Sequence, residues 1–178
     1  MRKVMLAGVA ALVLAGCQTT NTVEGGPAKL DVSFTGNGWD GETVPDGQHC
    51  SKYGGDGETP PMRVRQLPGR TDLIVVAFND RDYQRLSHDG GHGKIGFPVE
   101  QEADSVELPA VPGGRAELPG DPYVVAKNRA TGDYAQPGYL PPCSGGRGND
   151  YFAVVKAFDT DSDPNLLLAK ATVELGSY

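Results

Sequence analysis

Apolar positions in this chain come in short runs of strand length, parted by glycine and proline. Leu30-Asp31-Val32-Ser33-Phe34 alternates and predicts a half-buried strand. Met62 to Leu67 alternates strictly, with one apolar and one basic face. Leu73 to Phe78 is continuously apolar, the pattern of a strand central in a sheet. Lys94 to Val99 predicts a strand ended by Pro98, and Val106 to Val111 a weaker one. Tyr151 to Phe158 is apolar on both faces except at Lys156, as expected of a strand buried on both sides. Two stretches stay ambiguous, Tyr123 to Lys127 and Leu166 to Leu175. The second reads as a helix starting at Asp163-Pro164, then a strand over Ala171 to Leu175. No repeat and no heptad pattern is visible, and no helix longer than about ten residues is compelling. The expectation is a mainly β domain, antiparallel and sandwich-like, with few short helices.

The first residues follow a different pattern. Arg2 and Lys3 precede an apolar segment, Val4 to Leu14, that is short for a bilayer span. Leu14-Ala15-Gly16-Cys17 closes it, and Gln18-Thr19-Thr20 is polar. Small residues before a cysteine, with a polar exit, resemble the lipobox of bacterial lipoproteins. The resemblance implies a signal peptide over residues 1–16, cleavage before Cys17 and acylation of Cys17. The alternative is a plain secretory signal with an incidental cysteine. Residues 17–29 then read as a lipidated tether and residues 30–178 as one domain, long enough to bury a core. The implied location is the cell envelope, anchored by lipid. Gln18 after the cysteine favours the outer membrane facing the periplasm.

Composition supports many turns: 25 glycines and 14 prolines against few aromatics. Formal net charge is −7. Loss of Arg2 and Lys3 would leave about −9. With no basic patch, nucleic acid is a poor partner, because binding it needs cations that displace phosphate counterions. Electrostatic binding to anionic lipid is disfavoured on the same ground, so the membrane partner would be reached through the acyl chains. Setting Cys17 aside leaves Cys50 and Cys143. An even pair in an oxidising compartment reads as a disulfide; two free thiols or a metal pair are the alternatives.

Candidate chemistry is sparse. Gly138 to Asp159 begins as a stiff Pro/Gly loop, Gly-Tyr-Leu-Pro-Pro-Cys-Ser-Gly-Gly-Arg-Gly, and runs into the Tyr151 strand. Loops of this kind can turn backbone N–H groups outward. Asn79-Asp80-Arg81-Asp82 follows the Leu73 strand, and His88 and His92 precede the next one. Asp80, Asp82 and His92 could therefore converge at one rim, although a short acidic turn is most often only solvated. No Gly-x-Ser-x-Gly elbow, P-loop or His-Glu-x-x-His is present. A hydrolase would have to draw on Ser144, His92 and Asp80. A metal site would have to draw on Asp80, Asp82, His88 and His92, and Asp89-Gly90-Gly91 between the histidines argues against the helix such a site would need. No cofactor is implied.

The order of these pieces resembles the phosphatidylethanolamine-binding protein family, whose bacterial members are often called Raf kinase inhibitor-like. Val44-Pro45 to Cys50, Asp56-Gly57-Glu58-Thr59-Pro60-Pro61-Met62, Asp80-Arg81-Asp82, His92-Gly93 to Pro98, and the Gly138 loop with Asn149-Asp150-Tyr151 fall in the family's sequence order. The match covers about Val32 to Leu175. It implies a β-sandwich-like fold with a small surface pocket for anions, and it places Cys50 near Cys143. By resemblance the ligand-binding groups are Asp80, His92, Pro142 and Tyr151, with Asn149 where the family has a second histidine. Asp150 stands where the family has an arginine that braces the site, and both prolines of the family's acidic turn are absent. Exchanging His for Asn removes any cation, and exchanging Arg for Asp shifts the local formal charge by two units, so phosphate should bind weakly or not at all. Arg81 and Arg147 could compensate. The implied function is a non-catalytic binding or interaction lipoprotein with an altered anion-type pocket. The alternative is a structural or partner-binding envelope protein with a degenerate pocket. A protein partner is not readable, and kinase regulation does not transfer on fold alone.

Overall fold

The computed structural model describes residues 26–36 and 38–178. Cys17 and the signal-like segment lie outside the described residues. The strands are β1 (Ala28–Lys29), β2 (Asp31–Phe34), β3 (Met62–Arg65), β4 (Leu73–Asp80), β5 (Gly93–Pro98), β6 (Ser105–Leu108), β7 (Tyr123–Ala126), β8 (Asp150–Asp159) and β9 (Leu166–Ser177). Three single 3-10 turns, Ser51–Tyr53, Gln84–Leu86 and Gly132–Tyr134, are the helical elements among the described residues.

Six strands form one sheet in the order β1-β9-β8-β4-β5-β7, and three form a second in the order β2-β3-β6. The second is antiparallel throughout, and the first is antiparallel except where β1 runs parallel to β9. The fold takes up its chain at Ala28, within the stretch read as tether. One apolar cluster joins the two sheets: Met62, Val64 and Leu108 from the smaller, Ile74, Val76, Ile95 and Val155 from the larger. Phe78 and Tyr139 lie at its heart, ring centres 4.5 Å apart. The mainly β sandwich expectation is the architecture found.

Two elements differ from their sequence patterns. β8 is not buried on both faces: Tyr151, Ala153, Val155 and Ala157 are buried, while Phe152, Val154, Lys156 and Phe158 are half-buried. Only one side of the sheet is covered by the smaller sheet, and Arg81 lays its guanidinium 4.2 Å over the Phe152 ring on the other. No helix forms at Asp163-Pro164. β9 starts at Leu166 and pairs with β8 from Asp159↔Leu166 to Asp150↔Ser177, so tertiary pairing overrides the local helix-start signal. β4, by contrast, is buried from Ile74 to Asp80 between β5 and β8, as its unbroken apolar run requires. It extends two residues further than that run and carries Asn79 and Asp80 within the sheet.

Candidate functional site

The last two residues of β4 organise the site. Asn79 donates to the Ala77 carbonyl and accepts the N–H groups of Gly90 and Gly91 on its Oδ1 at 2.9 and 3.2 Å. This anchors the loop that delivers His92 to the start of β5. The His92 backbone then bridges two segments: its N–H donates to Phe78, and its carbonyl accepts the N–H of Leu140. Asp80 sits opposite Tyr151 in the β4–β8 ladder. One strand end, one strand start and the Pro/Gly loop thus meet at one point.

Asp80 is 4% exposed and its carboxylate is well supplied with donors. Oδ1 accepts the N–H groups of Asp82 (2.8 Å) and Tyr83 (3.1 Å), and Oδ2 accepts the Asn149 side-chain amide at 2.8 Å. His92 Nδ1 lies 2.8 Å from the Leu140 carbonyl. A carbonyl only accepts, so Nδ1 carries the proton and the lone pair of the neutral ring is on Nε2. Nε2 has no hydrogen-bond partner and stands 4.0 Å from Asp80 Oδ2. Burial lowers the His92 pKa below the ordinary 6.5, against smaller opposing effects of the Leu140 hydrogen bond and the Asp80 charge. Tyr151 packs edge-on against the imidazole, ring centres 5.3 Å apart. Its hydroxyl accepts the Cys143 N–H at 3.1 Å, and burial raises its pKa to about 12, so it is a neutral phenol.

The neutral burial of His92 carries a pH signature. The unfolded chain binds a proton near pH 6.5 and the folded chain does so only below that. Stability is therefore complete above about pH 6.5 and falls as the pH drops, by up to about 1.4 kcal/mol per unit until the folded ring protonates. The groups facing the ring are Asp80, Tyr151 and the Leu140 carbonyl. Denaturant melts between pH 7 and 5 should show this slope in the parent chain and lose part of it in His92→Gln; equal slopes in the two would contradict it.

A cavity of about 560 Å³ opens over these groups. Asp80, His92 and Asn149 line its floor, with Asp82 and Arg147 as further charged groups and Leu86, Leu140, Ala130 and Tyr134 among its walls. Tyr151 and Pro142 stand behind the lining: Tyr151 backs His92, and the Pro142 carbonyl accepts the Cys50 N–H. A Cys50–Cys143 disulfide, Cα atoms 5.2 Å apart, ties this loop to the Ser51–Tyr53 turn and packs with Leu86 and Leu140. The far wall is held by Arg129, whose guanidinium donates to the carbonyls of Arg85, His88 and Asp89. The hydroxyls of Tyr53 and Tyr134 meet at 2.9 Å and close that wall.

The overall fold recurs in solved structures. The structure of Escherichia coli YbcL, described as a new member of the mammalian PEBP family, superposes on 85% of this chain and 98% of its own, at TM-score 0.53 and 19% identity. The chain has the phosphatidylethanolamine-binding protein fold. A phosphatidylethanolamine-binding protein homologue, CT736 of Chlamydia trachomatis, is similar over 84% of this chain and 97% of its own, at TM-score 0.49 and 18% identity. Neither a family model nor a curated protein sequence matches.

Within this phosphatidylethanolamine-binding protein fold, the charge replaced at residue 150 is not where the sequence comparison put its effect. Successive strand residues face opposite ways. Tyr151 faces inward, so Asp150 faces out, where its Oδ1 accepts the Ser177 hydroxyl. Arg81 pairs with Glu174 and is likewise outside the lining. Arg147 does line the cavity, its Nη1 donating to the Ser144 carbonyl at 2.6 Å. Ser144 Oγ donates to the Tyr178 carbonyl and accepts the Arg147 N–H. It is engaged away from the partnerless His92 Nε2. His88 contributes its backbone carbonyl to Arg129 and is not in the lining. Ala130, Thr131 and Tyr134 are wall residues the sequence did not single out, since no apolar period or turn signature marks them.

Proposed function

We propose that this chain is a non-catalytic binding lipoprotein of the cell envelope. In this reading it is held to the membrane through lipidated Cys17 and takes a small ligand in the cavity over Asp80 and His92. One observation carries the ligand reading: His92, whose buried Nε2 has no partner, lines an open cavity together with Asp80 and Asn149. A buried polar atom left unpaired costs about 1–3 kcal/mol, and native proteins seldom keep one without a use. The fold and the pocket's position agree with a binding role, and the lipobox-like segment supports the anchor. The engagement of Ser144 with the Tyr178 carbonyl, rather than with His92, disfavours the hydrolase alternative.

The usual anion is disfavoured for a local reason. On the floor Asp80 and His92 offer a carboxylate and an imidazole lone pair beside the Asn149 amide, and the cavity's charged groups are Asp80 and Asp82 against Arg147 alone. A phosphate would place acceptors against acceptors. Phosphate is expected to bind more weakly than about 1 mM by calorimetry; tighter binding centred on the cavity would refute the acceptor floor. Chemical-shift mapping with a panel of small cations, anions and neutral fragments tests the binding role itself. Saturable shifts at Ala130, Thr131 and Asn149 with any of them are expected. A panel that leaves all three unmoved would favour a structural envelope protein.

A further inference from the structure

The large sheet ends on β7, and among the described residues that edge is open. β7 hydrogen-bonds to β5 alone, while β1, where the described chain enters, is the opposite edge. An edge strand leaves a row of backbone N–H and C=O groups facing outward, a template for another strand. Side chains here alternate: Asp121, Tyr123, Val125 and Lys127 are exposed, and Pro122, Val124 and Ala126 are half-buried. Tyr123 and Val125, 44% and 43% exposed, are two of only five large apolar side chains exposed among the described residues. Both lie on Gly96 of β5: a Cβ there would come within 2.7 Å of the Tyr123 ring and 3.0 Å of Val125 Cγ2. The ring thus leans back across the sheet, away from the open edge. Asp121 and Lys127 bracket the strand, and neither joins an ion pair among the described residues.

We propose that β7 is a self-association edge: two copies pair β7 against β7, antiparallel about a two-fold axis, and their large sheets become one. A two-fold axis normal to the sheet keeps each face continuous, so exposed positions oppose exposed positions. Centred on Val124, it sets Asp121 opposite Lys127 of the second copy and Tyr123 opposite Val125 of the second copy, each pair occurring twice. Opposite charges and aromatic–β-branched pairs are cross-strand combinations that stabilise a ladder. The neighbouring registers, centred on Tyr123 or Val125, set Asp121 against Val125 or Tyr123 against Lys127 and lose both charge pairs. Charge and register therefore select a second copy over an unrelated strand. The register shift of the β5–β7 ladder between Lys94 and Ile95 adds a local twist, which a second copy shares and a flat strand does not. Pro122 lies just outside β7 and removes at most one ladder bond at each end. The contact is a strand edge, well below the area of an obligate dimer, so association is weak, with a dissociation constant of about 10 μM to 1 mM. It is independent of what the cavity holds.

The test is sedimentation equilibrium of the full chain at low salt, with charge exchanges at the two flanking positions. The parent should pass from monomer towards dimer as its concentration rises to about 1 mM. Asp121→Lys and Lys127→Asp each turn two attractive pairs into two repulsive ones, and each should weaken self-association by about tenfold or more. An equimolar mixture of these two variants restores both pairs in a heterodimer, and the double exchange restores them in a homodimer. Both should associate about as the parent does. Asp121 and Lys127 are exposed, so denaturant midpoints should match the parent's. Should a single variant melt lower, Val125→Lys on the same edge serves instead and should abolish the dimer. A parent that stays monomeric up to about 1 mM overturns the proposal. A dimer indifferent to the single exchanges overturns it as well and places association on another surface. So do single losses that neither the mixture nor the double exchange recovers.

Discussion

Replacing Cys50 and Cys143 together by alanine is expected to lower the free energy of unfolding by about 4–5 kcal/mol. The two cysteines are 93 residues apart in sequence. In the chain-entropy model, a cross-link closing a loop of that size removes denatured-state freedom worth about that much. The native side adds to it. Cys50 is fully buried and packs with Leu86 and Leu140, so the substitution also thins the cluster beneath the cavity. Since a domain's whole stability is about 5–15 kcal/mol, the loss would be visible as a large fall in the denaturant midpoint. The same fall should follow reduction of the parent chain. A change under about 1 kcal/mol would show that the bridge does not tie the Pro/Gly loop to the Ser51–Tyr53 turn in the way described.

Asp80→Ala should cost about 3–5 kcal/mol, a loss out of proportion to the few atoms removed. Its carboxylate is the acceptor for two backbone N–H groups and for the Asn149 amide, in a place almost closed to water. Each donor stranded there costs about 1–3 kcal/mol, and the three share one environment, so the sum is less than additive. Asp80→Asn should be milder, because an amide oxygen can keep the two backbone bonds while its NH₂ confronts that of Asn149. Denaturant melts of the two variants order them. An Asp80→Ala chain as stable as the parent would mean that Asp80 is solvated rather than the keystone of the turn after β4.

Much of the fold is legible in particular residues. The run Leu73 to Phe78 predicts a central strand, and β4 is central. The alternation from Met62 predicts a one-sided strand, and β3 buries Met62 and Val64 while exposing Arg63. What the chain conceals is set by pairing rather than by local pattern. Leu166 to Leu168 carries no alternation, yet β8 recruits it into β9. Tyr123–Ala126 becomes a strand only because β5 leaves an edge for it. In the site, Asp80, His92 and Asn149 were readable from their place in an ordered set of motifs. The far wall was not, because Ala130 and Tyr134 reach the cavity through the Arg129 and Tyr53 contacts, which join segments remote in sequence. The outward turn of Asp150 was available in principle, from the period of two that puts it opposite Tyr151.

The central claim is that the floor of this cavity accepts hydrogen bonds and donates none from His92. The most direct measurement is the nitrogen-detected or long-range proton–nitrogen spectrum of the His92 ring near pH 7. A neutral ring is predicted, with its proton on Nδ1 toward the Leu140 carbonyl and a bare Nε2 toward Asp80. A proton on Nε2, whether in the other tautomer or in an imidazolium paired with Asp80, would contradict the account and return the cavity to anions.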